Sequence, residues 1–523
     1  MINLFKNLRK ENKTYFQLLV LYSLSHIWII FLANSLFWDD WHLKITNPDQ
    51  LDLYWEMVGA PIRGLMIKSL FNFGYYTYRL LSFFLLFINA IFLDKILTRI
   101  KIVNENNRFI TCLIFLIAPL YIDRVTIICF PYTLCTFLFF AAWYLQPKQK
   151  LISLALYLVS FSTNSLLVFY ALPTIEKFYL NYSFKKKSII KFFKNNIIFI
   201  IVPFLYYLSK KIFFSPFGLF KGYNNWFALK NLFITPFVQI LDALYFKSSF
   251  ILFIPISVLI FSYIFFRYIP IKGSSSDSEY SKTIFILGIF SLLLGLFPYW
   301  LLNLIPSFNA AWMARHQLLM PLGISLITAS VLSKFNLSSR RILLSLLVTI
   351  SLIINLSNYF SLIQDHSKQI AIIKELSIYK MRDNIDVVIF EDNTKNSNAK
   401  NRAYRTYEWQ GIINEAYPDK VDLIGLNSLE ELSYLVGLFK TKCQKRYGYK
   451  KTNLPEIINV SRISISKKEN SRSSLLSSKI YEILLPKYEI KEVQSEKINK
   501  NDYTEISSYN WDTKNFNGFI CED

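Results

Sequence analysis

The chain has 523 residues, 53% of them hydrophobic and 17% aromatic, and a formal net charge of +22 from 58 Lys+Arg against 36 Asp+Glu. Such apolarity excludes a disordered chain, which needs low hydrophobicity. It also argues against a nucleic-acid binder, because the basic residues punctuate long apolar runs instead of forming one patch.

The charge divides the chain near residue 360. Residues 1–360 hold 33 Lys+Arg and 13 Asp+Glu, a net +20, whereas residues 361–523 hold 25 and 23, a net +2. The first part reads as membrane-embedded, since a span needs about 20 apolar residues. About 11 spans are expected, at 15–36, 77–96, 109–123, 127–145, 151–164, 165–181, 196–214, 249–267, 283–303, 317–333 and 342–360. The stretches 109–145 and 151–181 are short for two full spans each. They read either as short paired helices meeting at an outer-side cavity or as single long tilted ones. Pro131, Asn164 and Pro173 interrupt them, and breaks at membrane depth are tolerated only against protein or water. The first run lacks an A-x-A-like cleavage site and reads as an uncleaved signal-anchor.

Alternate links are basic, and the side richer in Lys and Arg is expected to be cytoplasmic. That side takes Lys6, Arg9, Lys10 and Lys13, then the sets around Lys95–Arg108, Lys148–Lys150, Lys177–Lys194, Arg267–Lys282 and Lys334–Arg341. The fold class expected is therefore a polytopic α-helical membrane protein, N-terminus in and C-terminus out. Residues 1–360 would be the transmembrane domain and 361–523 an extracytoplasmic soluble α/β domain. Lys210 and Lys211 break the trend: either they meet lipid phosphate or that end is misplaced.

In the tail, IDVVIF (385–390) reads as a buried strand. Residues 393–401 read as a polar loop, and YEWQGIINEAY (407–417) as a helix. Residues 421–426, 460–466 and 479–485 are further strand candidates. The tail reads as a structural cap or an acceptor-docking surface sooner than a catalytic unit. Cys443 and Cys521 are its only cysteines, and whether they pair is left open.

The sharpest local feature is Phe37-Trp38-Asp39-Asp40-Trp41-His42. Adjacent carboxylates repel when ionised, which raises one pKa or attracts a cation. Either suits a general base that takes a proton from a sugar hydroxyl. Trp38, Trp41 and His42 would line the same place, with the tryptophans stacking on a sugar or marking the interface. A plainer reading is that the two aspartates merely end a helix. The following outer loop carries Glu56 and Arg63, and its segment 61–76 is amphipathic enough to lie on a leaflet. Asp123-Arg124 sits at a second outer turn, either as a surface ion pair or as part of a site. Arg315-His316 opens the tenth run, where a guanidinium and an imidazole suit a phosphate or diphosphate; snorkelling to the interface is the alternative.

Many spans, an acidic pair just after the first, interface helices in that loop and a soluble outer domain resemble the GT-C superfamily of integral membrane glycosyltransferases. The resemblance rests on architecture over 1–360 and on Asp39-Asp40 as motif. It implies a sugar moved from a polyprenyl-phosphate carrier to an outside acceptor, such as O-antigen or another surface glycan of the bacterial cell envelope. By that resemblance Asp39 or Asp40 is the catalytic base. Arg315 stabilises the leaving phosphate with His316, Arg63 or Arg124. The enzyme would sit in the cytoplasmic membrane and bind no nucleic acid. No cofactor is required, and a divalent cation stays open. A lipid-linked oligosaccharide polymerase and a lipid-linked glycan flippase or transporter are the competing readings.

Overall fold

The computed structural model describes residues 2–45, 48–100, 103–217, 220, 234–236, 281–304, 306, 313–420, 422–429, 431, 457–468 and 486–499. The span expected at 249–267, the strand expected at 479–485 and both tail cysteines lie outside these residues.

The chain opens with α1 (Ile2–His26) and the short α2 (Trp28–Phe31), then unwinds over 32–38. The apolar run expected at 15–36 is thus divided, and no single helix there carries a full span. Next come α3 (Asp39–Ile45), α4 (Pro48–Met57) and α5 (Pro61–Phe71), the last started by a proline whose fixed φ suits a first turn. The helix α6 (Tyr75–Ile100) is followed by α7 (Glu105–Ile117), whose Asn104 cap accepts from the Asn107 amide. Two 3₁₀ turns, Ile122–Val125 and Ile127–Cys129, lead into α8 (Phe130–Leu145). Then follow α9 (Lys150–Ser160), α10 (Ser165–Phe169), α11 (Ala171–Asn181) and α12 (Lys186–Phe213), which is kinked at Asn196. So neither of the two stretches left open above is one long helix: 109–145 is a short helix, two 3₁₀ turns and a longer helix with Pro131 in its first turn, and 151–181 is three short helices, with a break at Asn164 and Pro173 inside the last.

After 281 come α13 (Ser281–Leu301), a 3₁₀ turn at Met313–Gln317, α14 (Met320–Ser333) and α15 (Leu337–Ile378). Small residues let α13 and α14 meet closely: a Cβ on Gly323 would lie 2.5 Å from the Leu292 backbone nitrogen. Among the described residues, five helices are long and apolar enough to cross a membrane: α6, the segment Ile127–Leu145, α12, α13 and α15. Several keep apolar side chains exposed, such as Ile198, Phe204 and Ile212 on α12 and Ile286 on α13. Faces of that size call for a partner or lipid, so the architecture is compatible with a helical membrane protein.

α15 has 42 residues, about 63 Å of helix against a hydrocarbon core of about 30 Å. It passes residue 360 without a break. Its first half is tied to the bundle by Asn355, which donates to Ser25 Oγ and the Ile117 carbonyl, both at 2.8 Å. Its second half belongs to the C-terminal domain. There the buried Lys368 donates to both Asp392 oxygens (2.8 and 2.7 Å), Asn398 Oδ1 (2.7 Å) and the Thr394 carbonyl (3.1 Å).

The domain holds β1 (Val387–Asp392), α16 (Thr406–Ala416), β2 (Ile424–Leu426), β3 (Ile457–Lys467) and β4 (Tyr488–Asn499) in the sheet order β2-β1-β3-β4. β1 is parallel to β2 and β3, and β4 is antiparallel to β3. β1 begins with four buried residues, the mark of a central parallel strand. The polar stretch 393–401 forms 3₁₀ turns at Lys395–Ser397 and Ala399–Asn401. The buried core of this domain runs into the α3–α5 layer: Val388, Trp409 and Ile412 share one apolar cluster with Trp41, Trp55 and Ile67. The domain is packed onto the bundle through that core.

Candidate functional site

Trp38, just before α3, has φ +54°, a left-handed backbone that a bulky residue adopts only under constraint. That turn sends the two aspartates to different surroundings. Asp40 is fully buried. Its Oδ1 accepts from the amides of Ile127 (2.7 Å) and Ile128 (3.1 Å), and its Oδ2 from the Phe37 amide (3.3 Å). Arg79 stands 3.8 Å away, itself donating to the Val125 and Ala33 carbonyls. Burial outweighs Arg79 and the three amides and pushes the Asp40 carboxyl up to about 7. Asp40 thus fastens the start of α3 to the turn before α8.

Asp39 is only half-buried, and its Oδ1 accepts 2.6 Å from the Tyr407 hydroxyl of α16. Arg315, Arg402 and Glu408 are its charged surroundings. Desolvation raises its pKa; the Tyr407 bond, Arg315 and Arg402 pull it down, and Glu408 pushes it up, for a net rise. Arg402 is paired through both terminal nitrogens to Glu408, with its guanidinium 5.4 Å from the centre of the Trp38 ring. Glu408 also caps α16 through the Arg405 amide at 2.8 Å.

Asp123, in the turn Ile122–Val125, is 1% exposed, and neither carboxylate oxygen has a hydrogen-bond partner among the described residues. Burial raises its pKa well above the usual carboxylate range, against the pull of Arg315 and Lys400. A buried polar group without partners is rare enough to need a reason. Arg124 does not supply it. That guanidinium donates to the Tyr121 carbonyl (3.3 Å), Tyr22 hydroxyl (3.3 Å) and Ser82 carbonyl (3.2 Å). Both residues are buried, so the surface ion pair considered from the sequence is absent here.

Among the described residues, Arg315 is the one positive charge that lowers the pKa of both Asp39 and Asp123. Its Nε donates to His316 Nε2 at 3.1 Å. Burial and Arg315 push His316 down to about 2, so the ring is a neutral acceptor, packed 4.7 Å from the Tyr299 ring. Arg315 and His316 line a cavity with Arg63, Lys210, Trp55 and the polar turn Thr163-Asn164-Ser165. Arg63 donates to the Ser162 carbonyl (3.0 Å) and the Tyr132 hydroxyl (3.1 Å), and Lys210 to Asn164 Oδ1 (2.8 Å). Arrayed cations with a polar turn suit an anionic group such as a phosphate.

The structure brings Arg63, Arg315 and His316 from the sequence reading into one cavity; Asp39 and Asp123 feel the charge of Arg315 but do not line that cavity. Trp38 lies beneath Arg402. Trp41 is buried against Gly411, where an added Cβ would overlap its ring. His42 is buried between Tyr54 and Tyr407. These three aromatic side chains hold the domain in place and leave no open face for a sugar. Glu56 is exposed on α4, and its side chain makes no ion pair or hydrogen bond to the site among the described residues. Sequence reasoning missed Lys400, Arg402, Tyr407 and Glu408, whose only signal was their place in a polar loop and helix. Among the described residues, no three His, Cys, Asp or Glu side chains group closely enough to hold a metal.

No family model matches the chain, and no curated protein or solved structure matches it either.

Proposed function

We propose that the chain is a polytopic membrane glycosyltransferase of GT-C type. It moves a sugar from a polyprenyl-phosphate carrier to a glycan acceptor on the outer side of the bacterial cytoplasmic membrane. The observation that carries this reading is Arg315. Its charge lowers the pKa of two carboxylates, Asp39 and Asp123, and it lines a cavity with the Arg63 guanidinium and the Lys210 amine. That is the layout needed to hold a phosphate leaving group beside a proton acceptor.

In this mechanism Asp39 takes the proton from an acceptor hydroxyl. The hydroxyl oxygen bonds to the anomeric carbon as the bond from that carbon to the phosphate oxygen breaks. Arg315 and Arg63 take up the charge on the departing polyprenyl phosphate, the Lys210 amine offers a further hydrogen-bond donor, and neutral His316 orients the Arg315 guanidinium. Eleven spans, with the N-terminus inside, accompany this reading. It is supported by the separation of the cations. Residues assigned outside (Arg63, Lys210, Arg315) share one cavity, and residues assigned inside (Arg99, Lys150, Lys177, Lys191) share another.

The test is sugar transfer from a labelled polyprenyl-phosphate hexose in membranes holding wild type or Asp39→Asn. Transfer should fall by about 10²–10⁴-fold, with the protein kept at its normal level in the membrane. Full transfer by the Asn variant would sink the mechanism.

A further inference from the structure

Among the described residues, the hydrogen bond from the C-terminal domain to Asp39 is made by one hydroxyl. Tyr407 donates to Asp39 Oδ1 at 2.6 Å, and the other Asp39 oxygen has no hydrogen-bond partner among the described residues. The contact is built from both sides. Gly411, one turn along α16, admits the Trp41 ring, and Lys44 pairs with Glu415 at 2.5 Å. The Tyr407 ring also packs against His42, one turn beyond Asp39. Strain gathers at the same junction: Trp38 on one side and Lys400 and Asn401 on the other have φ between +54° and +58°. Left-handed non-glycine residues cost free energy and persist where the surroundings fix them, often at functional sites.

We propose that Tyr407 is a positioning residue for Asp39: it occupies one carboxylate oxygen, orients the group and leaves the second oxygen to take the acceptor's proton. The domain is then part of the machinery instead of a cap. This rests on Asp39 being the base in the reading above. The groups facing Asp39 are Tyr407, Arg402 and Glu408 from the domain, Arg315 from the 3₁₀ turn, and Asp40 and His42 on its own helix. A phenol that donates to a carboxylate favours the ionised form. Tyr407→Phe removes that donor while keeping the ring against His42, so Asp39 should hold its proton to higher pH.

The experiment measures protonation of Asp39 directly. Purified full-length protein in lipid nanodiscs is treated with dicyclohexylcarbodiimide, which modifies protonated carboxyls, over a series of pH values. Modification of the Asp39 peptide is read by mass spectrometry. The midpoint in Tyr407→Phe should lie about one pH unit above that of the wild type. Site-specific 3-fluorotyrosine at 407, a more acidic phenol and stronger donor, should move it the other way. Lys44→Gln, which removes the partly exposed ion pair of the same interface and the cation over the Trp41 ring but no contact to Asp39, should leave it in place. Equal midpoints in wild type, Tyr407→Phe and the fluorotyrosine protein would overturn the proposal. If Tyr407→Phe fails to accumulate, the fluorotyrosine protein decides alone. The labelling needs no sugar donor, so its outcome stands apart from the transfer assay that tests the function itself.

Discussion

The first turn of α3 and the 3₁₀ turn at Ile122–Val125 both bury a carboxylate, and they treat it in opposite ways. Asp40 receives three backbone amides and faces Arg79. Asp123 receives no hydrogen bond among the described residues and has only the more distant influence of Arg315 and Lys400. Burial raises both carboxyls, but only Asp40 is compensated in place. A compensated carboxylate holds two segments together. An uncompensated one stores a cost that a ligand can relieve, as sites built for function often do. Asp39 stands between them, half-exposed, with one hydroxyl partner.

The largest effect should come from Asp40→Ala. It strands Arg79 and three amides in a buried place, a loss of about 3–5 kcal/mol. Folded protein in the membrane should fall sharply, as read by fluorescence-detected gel filtration of detergent extracts. Normal levels and melting would remove the distinction between Asp40 and its neighbours. Next, Gly411→Ala drives a methyl into the Trp41 ring and should cost about 1–3 kcal/mol. The loss should fall on the contact between domain and bundle, so protease should cut the chain near α16 at lower doses. Unchanged cleavage would mean that the two parts do not depend on this contact.

Asp123→Asn should act in the other direction, with a gain of about 0.5–2 kcal/mol and loss of transfer together. The sign follows from linkage. A carboxyl whose folded pKa stands above its unfolded value makes the fold lose stability as pH rises from the unfolded value toward the folded one. Removing the charge therefore raises the melting temperature most at neutral pH and least near pH 4. A melting temperature lowered at neutral pH would show that Asp123 is bound after all and erase the contrast with Asp40.

Much of the frame was legible in the sequence, because apolar runs and β-branched clusters carry their own signals. The helices α6, α8, α12 and α13 and the strands β1 and β3 lie close to where those signals put them. The division at residue 360 marked a real change in chemistry but not the end of a helix. Beyond it α15 buries only one side, through Leu362, Asp365, Lys368, Ile372 and Leu376. A hydropathy criterion sees that change of pattern as the end of a span. The strand β4 went unseen because YEIKEVQSEKIN is charged throughout, as suits the sheet edge it forms. The Asp39-Asp40 pair could be picked out, but not its division of labour, which depends on amides 87 and 88 residues away. Tyr407 is 368 residues from Asp39, and no local pattern joins them.

The unbroken helix α15 carries a consequence for how this chain can vary. It is fastened to the bundle at Asn355 and to the domain at Lys368. Each residue of a helix advances about 1.5 Å and turns about 100°. The compass bearing of the domain, and with it the direction in which Tyr407 points, is therefore set by a count of residues between those two anchors. Side chains on the outward face of that stretch are free to drift. A single insertion or deletion is not, because it would swing the domain by more than a quarter-turn and carry Tyr407 off the Asp39 carboxylate.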